Sequence, residues 1–99
     1  MAEREVIEIA KTYAEKVRQL METKAVILFG SHTKGTATKN SDIDIAVIVD
    51  KIETDYLSVV AKLWGLTREV NDEIEPVLLF ANDVESGFLQ TVQNTGISV

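Results

Sequence analysis

The sequence predicts one α/β domain (α+β in its strand-to-helix order), built on a small mixed sheet of three or four strands with flanking helices. Three observations predict it. Apolar residues recur at three- and four-residue steps through the first twenty positions. Three short apolar or alternating runs read as strands. Those runs are separated by helical patterns, in the order helix, strand, short helix, strand, helix, strand, helix. No repeat, linker or low-complexity segment interrupts them, so residues 1–99 are read as a single domain.

The first helix is expected from Ala2 to about Glu22, with Val6, Ile9, Ala10, Tyr13, Val17 and Leu20 forming one stripe and charged residues the opposite face. Ala25–Phe29 is a continuous apolar run that stops at Gly30, which reads as a buried strand. Ser31 to Lys39 is polar and glycine-containing, with room for one or two helical turns. From Ser41 to Asp50 the pattern alternates. Asp42, Asp44, Ala46 and Ile48 share one strand face, and Ile43, Ile45, Val47 and Val49 the other.

Thr54 or Asp55 is placed to cap a helix that runs to about Asn71. Its apolar set (Tyr56, Leu57, Val59, Val60, Leu63, Trp64, Leu66, Val70) is too wide for one buried stripe. Glu73 to Phe80 reads as a third strand, and Pro76, which cannot donate to a ladder, assigns it to a sheet edge or a strand start. Asn82 or Asp83 is the expected start of a last helix with Val84, Phe88, Leu89 and Val92 inward. Gly96–Val99 is a tail with the option of an edge strand.

Composition narrows the function. The chain is 45% hydrophobic and 26% charged with one Pro, an ordinary globular balance. It has no Cys, which excludes disulfides, thiolate metal sites and cysteine nucleophiles. No apolar stretch is long enough for a signal peptide or a membrane span, so a cytoplasmic location without membrane contact is expected. The net charge is −6 and no Lys/Arg run is present, which argues against direct nucleic-acid binding. An acidic chain handles a phosphorylated ligand when metal ions supply the positive charge.

The chemistry is concentrated between Gly30 and Val47. Gly30 follows a strand directly and allows a sharp turn. Ser31 is placed to cap the short helix, whose first N–H groups would then make an anion site. Gly35 either admits close approach or ends that helix. Asp42-Ile43-Asp44 puts two carboxylates on one strand face, with Cα atoms about 6.6 Å apart. That spacing suits a pair of metal ions roughly 3.5–4 Å apart. Magnesium matches such oxygen donors, and repulsion between the carboxylates favours a cation between them.

In combination, Gly30-Ser31, Gly35 and Ser41-Asp42-Ile43-Asp44 resemble the signature of the minimal nucleotidyltransferases of the DNA-polymerase-beta-like superfamily. The early helix, the third strand and the closing Phe88-Leu89 and Gly96-Ile97 pattern are similar as well, so the resemblance spans nearly the whole chain. It implies a palm-like fold and a reaction on ATP or another nucleoside triphosphate with two magnesium ions. Gly30, Ser31, Lys34 and Ser41 are the expected nucleotide-binding residues. Asp42 and Asp44, with Glu75 as the third carboxylate, are the expected catalytic and metal-binding residues; Glu73 lies two positions before it on the same face. The sequence departs from the family in the loop: His32 and Lys34 stand where arginines are frequent. Lysine keeps the charge but lacks the bidentate fork, and a loop histidine here is read as facing solvent.

The resemblance also implies a partner, an all-helical HEPN-type protein, the toxin of a two-protein module whose antitoxin transfers a nucleotidyl group, AMP foremost, to a tyrosine hydroxyl of that toxin. The residues are compatible with it. The chain is too small to carry its own acceptor lobe, and the apolar surplus around Tyr56 and Trp64 is the kind of surface that marks an interface. A homodimer or a hetero-oligomer would use the same surface. A second reading is a weakly active or inactive binding module that neutralises its partner by complex formation. Transfer to a small molecule ranks last, because no added acceptor domain is present, and a template-copying polymerase is disfavoured by size and charge.

Overall fold

The computed structural model describes residues 3–38, 41–83 and 87–99. Ala2, Lys39 and Val84, each expected in a helix or loop, lie outside the described residues. The order is α1 (Glu3–Leu20), β1 (Ala25–Phe29), α2 (Ser31–Lys34), β2 (Ile43–Val49), α3 (Tyr56–Val70), β3 (Ile74–Phe80), α4 (Phe88–Thr95) and β4 (Ile97–Ser98). The four strands form one mixed sheet in the order β3-β2-β1-β4. β2 pairs antiparallel with β1 and parallel with β3, and β4 pairs antiparallel with β1. The parallel step is made possible by α3, which supplies the crossover. The tail thus takes its edge-strand option, and Pro76 sits in the opposite edge strand, where a missing N–H leaves the ladder to β2 intact.

Burial follows from strand periodicity. Ile43, Ile45, Val47 and Val49 point to one face and meet Val6, Ala10, Tyr13, Ala14 and Val17 of α1 and Val59 and Leu63 of α3. Ala46 and Ile48 point to the other, where Ile27, Leu89 and Val92 close a smaller cluster under α4. The central strand is therefore buried on both faces beyond its first residues, as a strand covered by helices on both sides must be. A buried tie joins the two large helices: the Tyr13 hydroxyl donates to the Leu63 carbonyl at 2.7 Å. Burial pushes the Tyr13 phenol well above its ordinary range, which keeps it a donor.

Several expectations are corrected. The buried stripe of α1 ends at Val17, and Leu20, in the last turn of the helix, is 44% exposed. α4 begins at Phe88 with Gly87 in a left-handed N-cap, later than Asn82 or Asp83. Phe88, expected inward, is the first residue of the helix and is 40% exposed, while Leu89 and Val92 are buried. Of the two caps expected for α3, Asp55 takes the place, as foreseen, by accepting from the Ser58 N–H at 2.9 Å.

Candidate active site

Cross-strand register builds the site. Phe29 of β1, Asp44 of β2 and Glu75 of β3 are direct partners across the sheet, so the three form a row on one face. Asp42 stands two residues before Asp44 and one before β2, held there by the Ile43 N–H donating to the Glu73 carbonyl at 2.8 Å. The carboxylates thus gather where β1 ends and β2 and β3 begin. Asp42 and Glu75 are exposed and Asp44 is half-buried.

The electrostatics report the crowding. Burial, then the Asp42 charge, holds the Asp44 carboxyl above its ordinary range, against the opposing pull of His32 and a hydrogen bond from Glu75. The Glu75 carboxyl is also raised, by loss of water and then by the charges of Asp42 and Asp44, with hydrogen bonds to both. Glu75 is exposed by area, so the two neighbouring carboxylates are the more telling cause. The hydrogen bond between Asp44 and Glu75 pulls the first down and pushes the second up.

The loop after β1 is fitted to this row. Gly30 has φ +85° and ψ −153°. A Cβ at Gly30 would collide with the Asp44 carboxylate, meeting its Cγ at 3.2 Å. The backbone of the loop and the carboxylate therefore share a space that only glycine leaves open. Gly35 ends α2 in the left-handed conformation, with its N–H on the Ser31 carbonyl, as one of its two expected uses required. Ser31 does not cap α2. It is the first helical residue, Gly30 is the cap, and no side chain makes a cap bond. α2 is a single turn of four residues, so any anion affinity rests on local N–H groups rather than on a helix dipole. Thr33, which the sequence did not single out, pins the turn by donating its hydroxyl to the Gly30 carbonyl at 2.8 Å.

The remaining expected residues are placed as follows. Lys34 is exposed at the end of α2. The Ser41 Oγ accepts from the Thr38 N–H at 2.8 Å, so this hydroxyl closes the loop that leads into Asp42. His32 is not the solvent-facing residue expected: its Nε2 is buried and has no hydrogen-bond partner among the described residues, and the ring lies close enough to act on the Asp44 carboxyl.

The donor set fits magnesium in kind, since all three groups are carboxylates, and the raised Asp44 and Glu75 are what a cation would relieve. Among the described residues no group of three is already closed around an ion position. Magnesium does not need such a cage, because it keeps waters and substrate phosphates in its shell. A cavity of about 590 Å³, lined in part by Leu20, Lys24, Val49, Ile52 and Val59, lies at the other end of the sheet. It contains none of the three carboxylates, and its Asp50 is already paired with Lys24 at 3.7 Å. The open carboxylate row is therefore the better chemical candidate, although the cavity is the better enclosed.

Comparison with known proteins agrees on the architecture. The family described as Polymerase beta, Nucleotidyltransferase matches residues 6–99. A Methanocaldococcus jannaschii protein described as a candidate protein adenylyltransferase is 27% identical over 101 residues, covering 96% of this chain and 99% of the relative. The solved structure of a candidate nucleotidyltransferase from Sulfolobus solfataricus superposes with a TM-score of 0.68 at 20% identity, over 97% of this chain and 80% of that one. A toxin-antitoxin structure with AMP-PNP gives 0.60 at 23% identity, over 99% and 72%. A variant of the toxin-antitoxin MntA-HpeT gives 0.57 at 21%, with the same coverages of 99% and 72%. At these identities the solved structures speak for the fold.

Proposed function

This chain belongs to the polymerase beta nucleotidyltransferase family, and from that premise we propose that it is a magnesium-dependent enzyme that moves AMP from ATP to a hydroxyl of a partner protein. The observation that carries this reading is the single row made by Asp44 and Glu75, with Asp42 beside it and the Gly30 turn pressed against Asp44. Asp42, Asp44 and Glu75 would hold two magnesium ions. Bound there, the ions would supply neutralisation of the triphosphate and activation of the acceptor hydroxyl. The Gly30-Ser31 turn would bring backbone N–H groups to the phosphates, and Lys34 would add a point charge. Ser41 would keep the loop closed and Asp42 in place. Glu75, the direct cross-strand partner of Asp44, would be placed to accept the hydroxyl proton as the new O–P bond forms and pyrophosphate leaves.

The proposed partner is an all-helical HEPN-type toxin, with this chain as the antitoxin. Support comes from the toxin-antitoxin assemblies among its structural neighbours and from the exposed Tyr56, Leu57 and Trp64 of α3. The alternative, neutralisation by binding with little turnover, is favoured by His32 and Lys34 in the loop.

The test is transfer of label. The protein is mixed with magnesium, ATP labelled on the α-phosphate and the product of the neighbouring gene. A labelled partner band that disappears with Asp44→Asn is the expected result. Tight binding of the partner without label would replace the enzymatic reading with the neutralising one.

A further inference from the structure

We propose that the aromatic pair Phe29–Phe88 is the platform on which the nucleobase of the triphosphate stacks, and that it favours purines; this inference deepens the nucleotidyltransferase reading and rests on it. Phe29 is the residue before Gly30 and the direct cross-strand partner of Asp44. It therefore continues the carboxylate row on the same face of the sheet, where opposite residues have Cβ atoms about 4.5–5.5 Å apart. The Phe88 ring meets it edge to face, with centroids 5.7 Å apart and planes at 81°. Phe88 is nevertheless 40% exposed. The other strongly exposed aromatics, Tyr56 and Trp64, belong to α3, which packs on the opposite face. One face thus carries, side by side, three carboxylates, a glycine turn and a wet aromatic surface.

A nucleotide needs all three. Its phosphates are charged and are served by cations and N–H groups. Its base is a neutral planar ring, which a chain of net charge −6 cannot hold by charge. Base–aromatic stacking supplies that hold, and it depends on overlap rather than on base edges. The larger purine ring gains more overlap than a pyrimidine. The T-shaped contact also fixes the Phe88 ring against Phe29, so little side-chain freedom remains to be lost on binding.

The test separates the base from the phosphates. Titration calorimetry with magnesium is run on the whole chain with two probes: an ATP analogue carrying a methylene bridge between the α- and β-phosphates, and inorganic tripolyphosphate. Phe88→Ala is expected to weaken the analogue about 5- to 150-fold, the usual strength of base stacking, and to leave tripolyphosphate unchanged. Phe88→Trp should retain or tighten analogue binding, and the matching GTP analogue should bind the wild type more tightly than those of CTP and UTP. Thermal melts check that the variants fold, and Phe88→Leu stands in if Phe88→Ala does not. Equal weakening of both probes, or no weakening of either, overturns the inference alone. A Phe88→Ala chain that binds the analogue normally but loses turnover on the partner overturns it in favour of acceptor docking. A wild type that binds neither probe removes the nucleotide reading, and the inference falls with it.

Discussion

Gly30 and Asp44 occupy a space that holds no further atom. Replacing Gly30 by Ala puts a Cβ into the Asp44 carboxylate at a φ of +85°, which side chains rarely adopt. The expected result is a loss of roughly 1–3 kcal/mol from backbone strain, together with loss of nucleotidyl transfer because Asp44 must move. Denaturant melts and the label assay measure the two separately. A variant with wild-type transfer would refute the fit. The raised carboxyls of Asp44 and Glu75 give a second expectation. Metal binding needs both deprotonated, and both titrate above their ordinary values of 3.8 and 4.5. A raised acid favours the metal-free fold below its unfolded pKa, and that contribution is lost as pH rises through the folded value. Magnesium should therefore raise the melting temperature at pH 7.5, where the ligands are charged, and lose this effect as pH falls toward the carboxylate range. The loss should begin at higher pH than for isolated carboxylates. Glu75→Gln should melt higher than wild type without metal at pH 7.5 and respond less to magnesium. A magnesium shift that is flat from pH 7.5 to 4 would exclude these carboxylates as the ligands.

The elements were readable where periodicity alone decides them. Ala25–Phe29 and the alternation from Asp42 to Val49 located two central strands, because apolar runs and two-residue repeats leave few other solutions. The Asp-x-Asp pair was readable for the same reason: two residues on one strand face need no tertiary information. Partnerships between elements were not. The row joining Phe29, Asp44 and Glu75 depends on register, which is set by packing and not by composition. The start of α4 was misplaced because Asn82 and Asp83 look like caps, while Gly87 takes the role through its left-handed backbone. Nor does any local signal tell that the Tyr13 hydroxyl reaches a carbonyl fifty residues away. That bond is the firmest link between α1 and α3. Tyr13→Phe keeps the ring and leaves the Leu63 carbonyl without its donor, so a loss of about 1–3 kcal/mol is expected. Chemical denaturation would measure it. An unchanged midpoint would mean that the carbonyl finds another donor.

The molecule as a whole has two candidate working surfaces, and they lie on opposite sides of the sheet. The carboxylate row, the glycine turn and the aromatic pair share the α4 side. Leu57, the most exposed large apolar side chain among the described residues, is on α3 on the other side, and Trp64 is seven residues further, on the same helical stripe, with Tyr56 beside Leu57 in sequence. Val59 and Leu63 fill the core side of α3, while Leu57 stands 75% and Trp64 44% exposed. Exposed side chains of this kind are typical interface anchors. Separation of the two surfaces makes grip and chemistry independently removable. Trp64→Ala together with Leu57→Ser should leave the binding of the ATP analogue near wild type and lower the melting temperature only modestly, by the part of Trp64 that is covered. It should weaken the complex with the proposed helical partner by at least tenfold, about 1.4 kcal/mol or more, and slow labelling of that partner at limiting concentrations. Asp44→Asn should show the reverse, with a normal complex and no label. Pull-down and the label assay on both variants decide the matter. If the stripe variant binds its partner normally, α3 is not the docking face, and the partner must approach from the α4 side, where it would also have to leave room for the nucleotide.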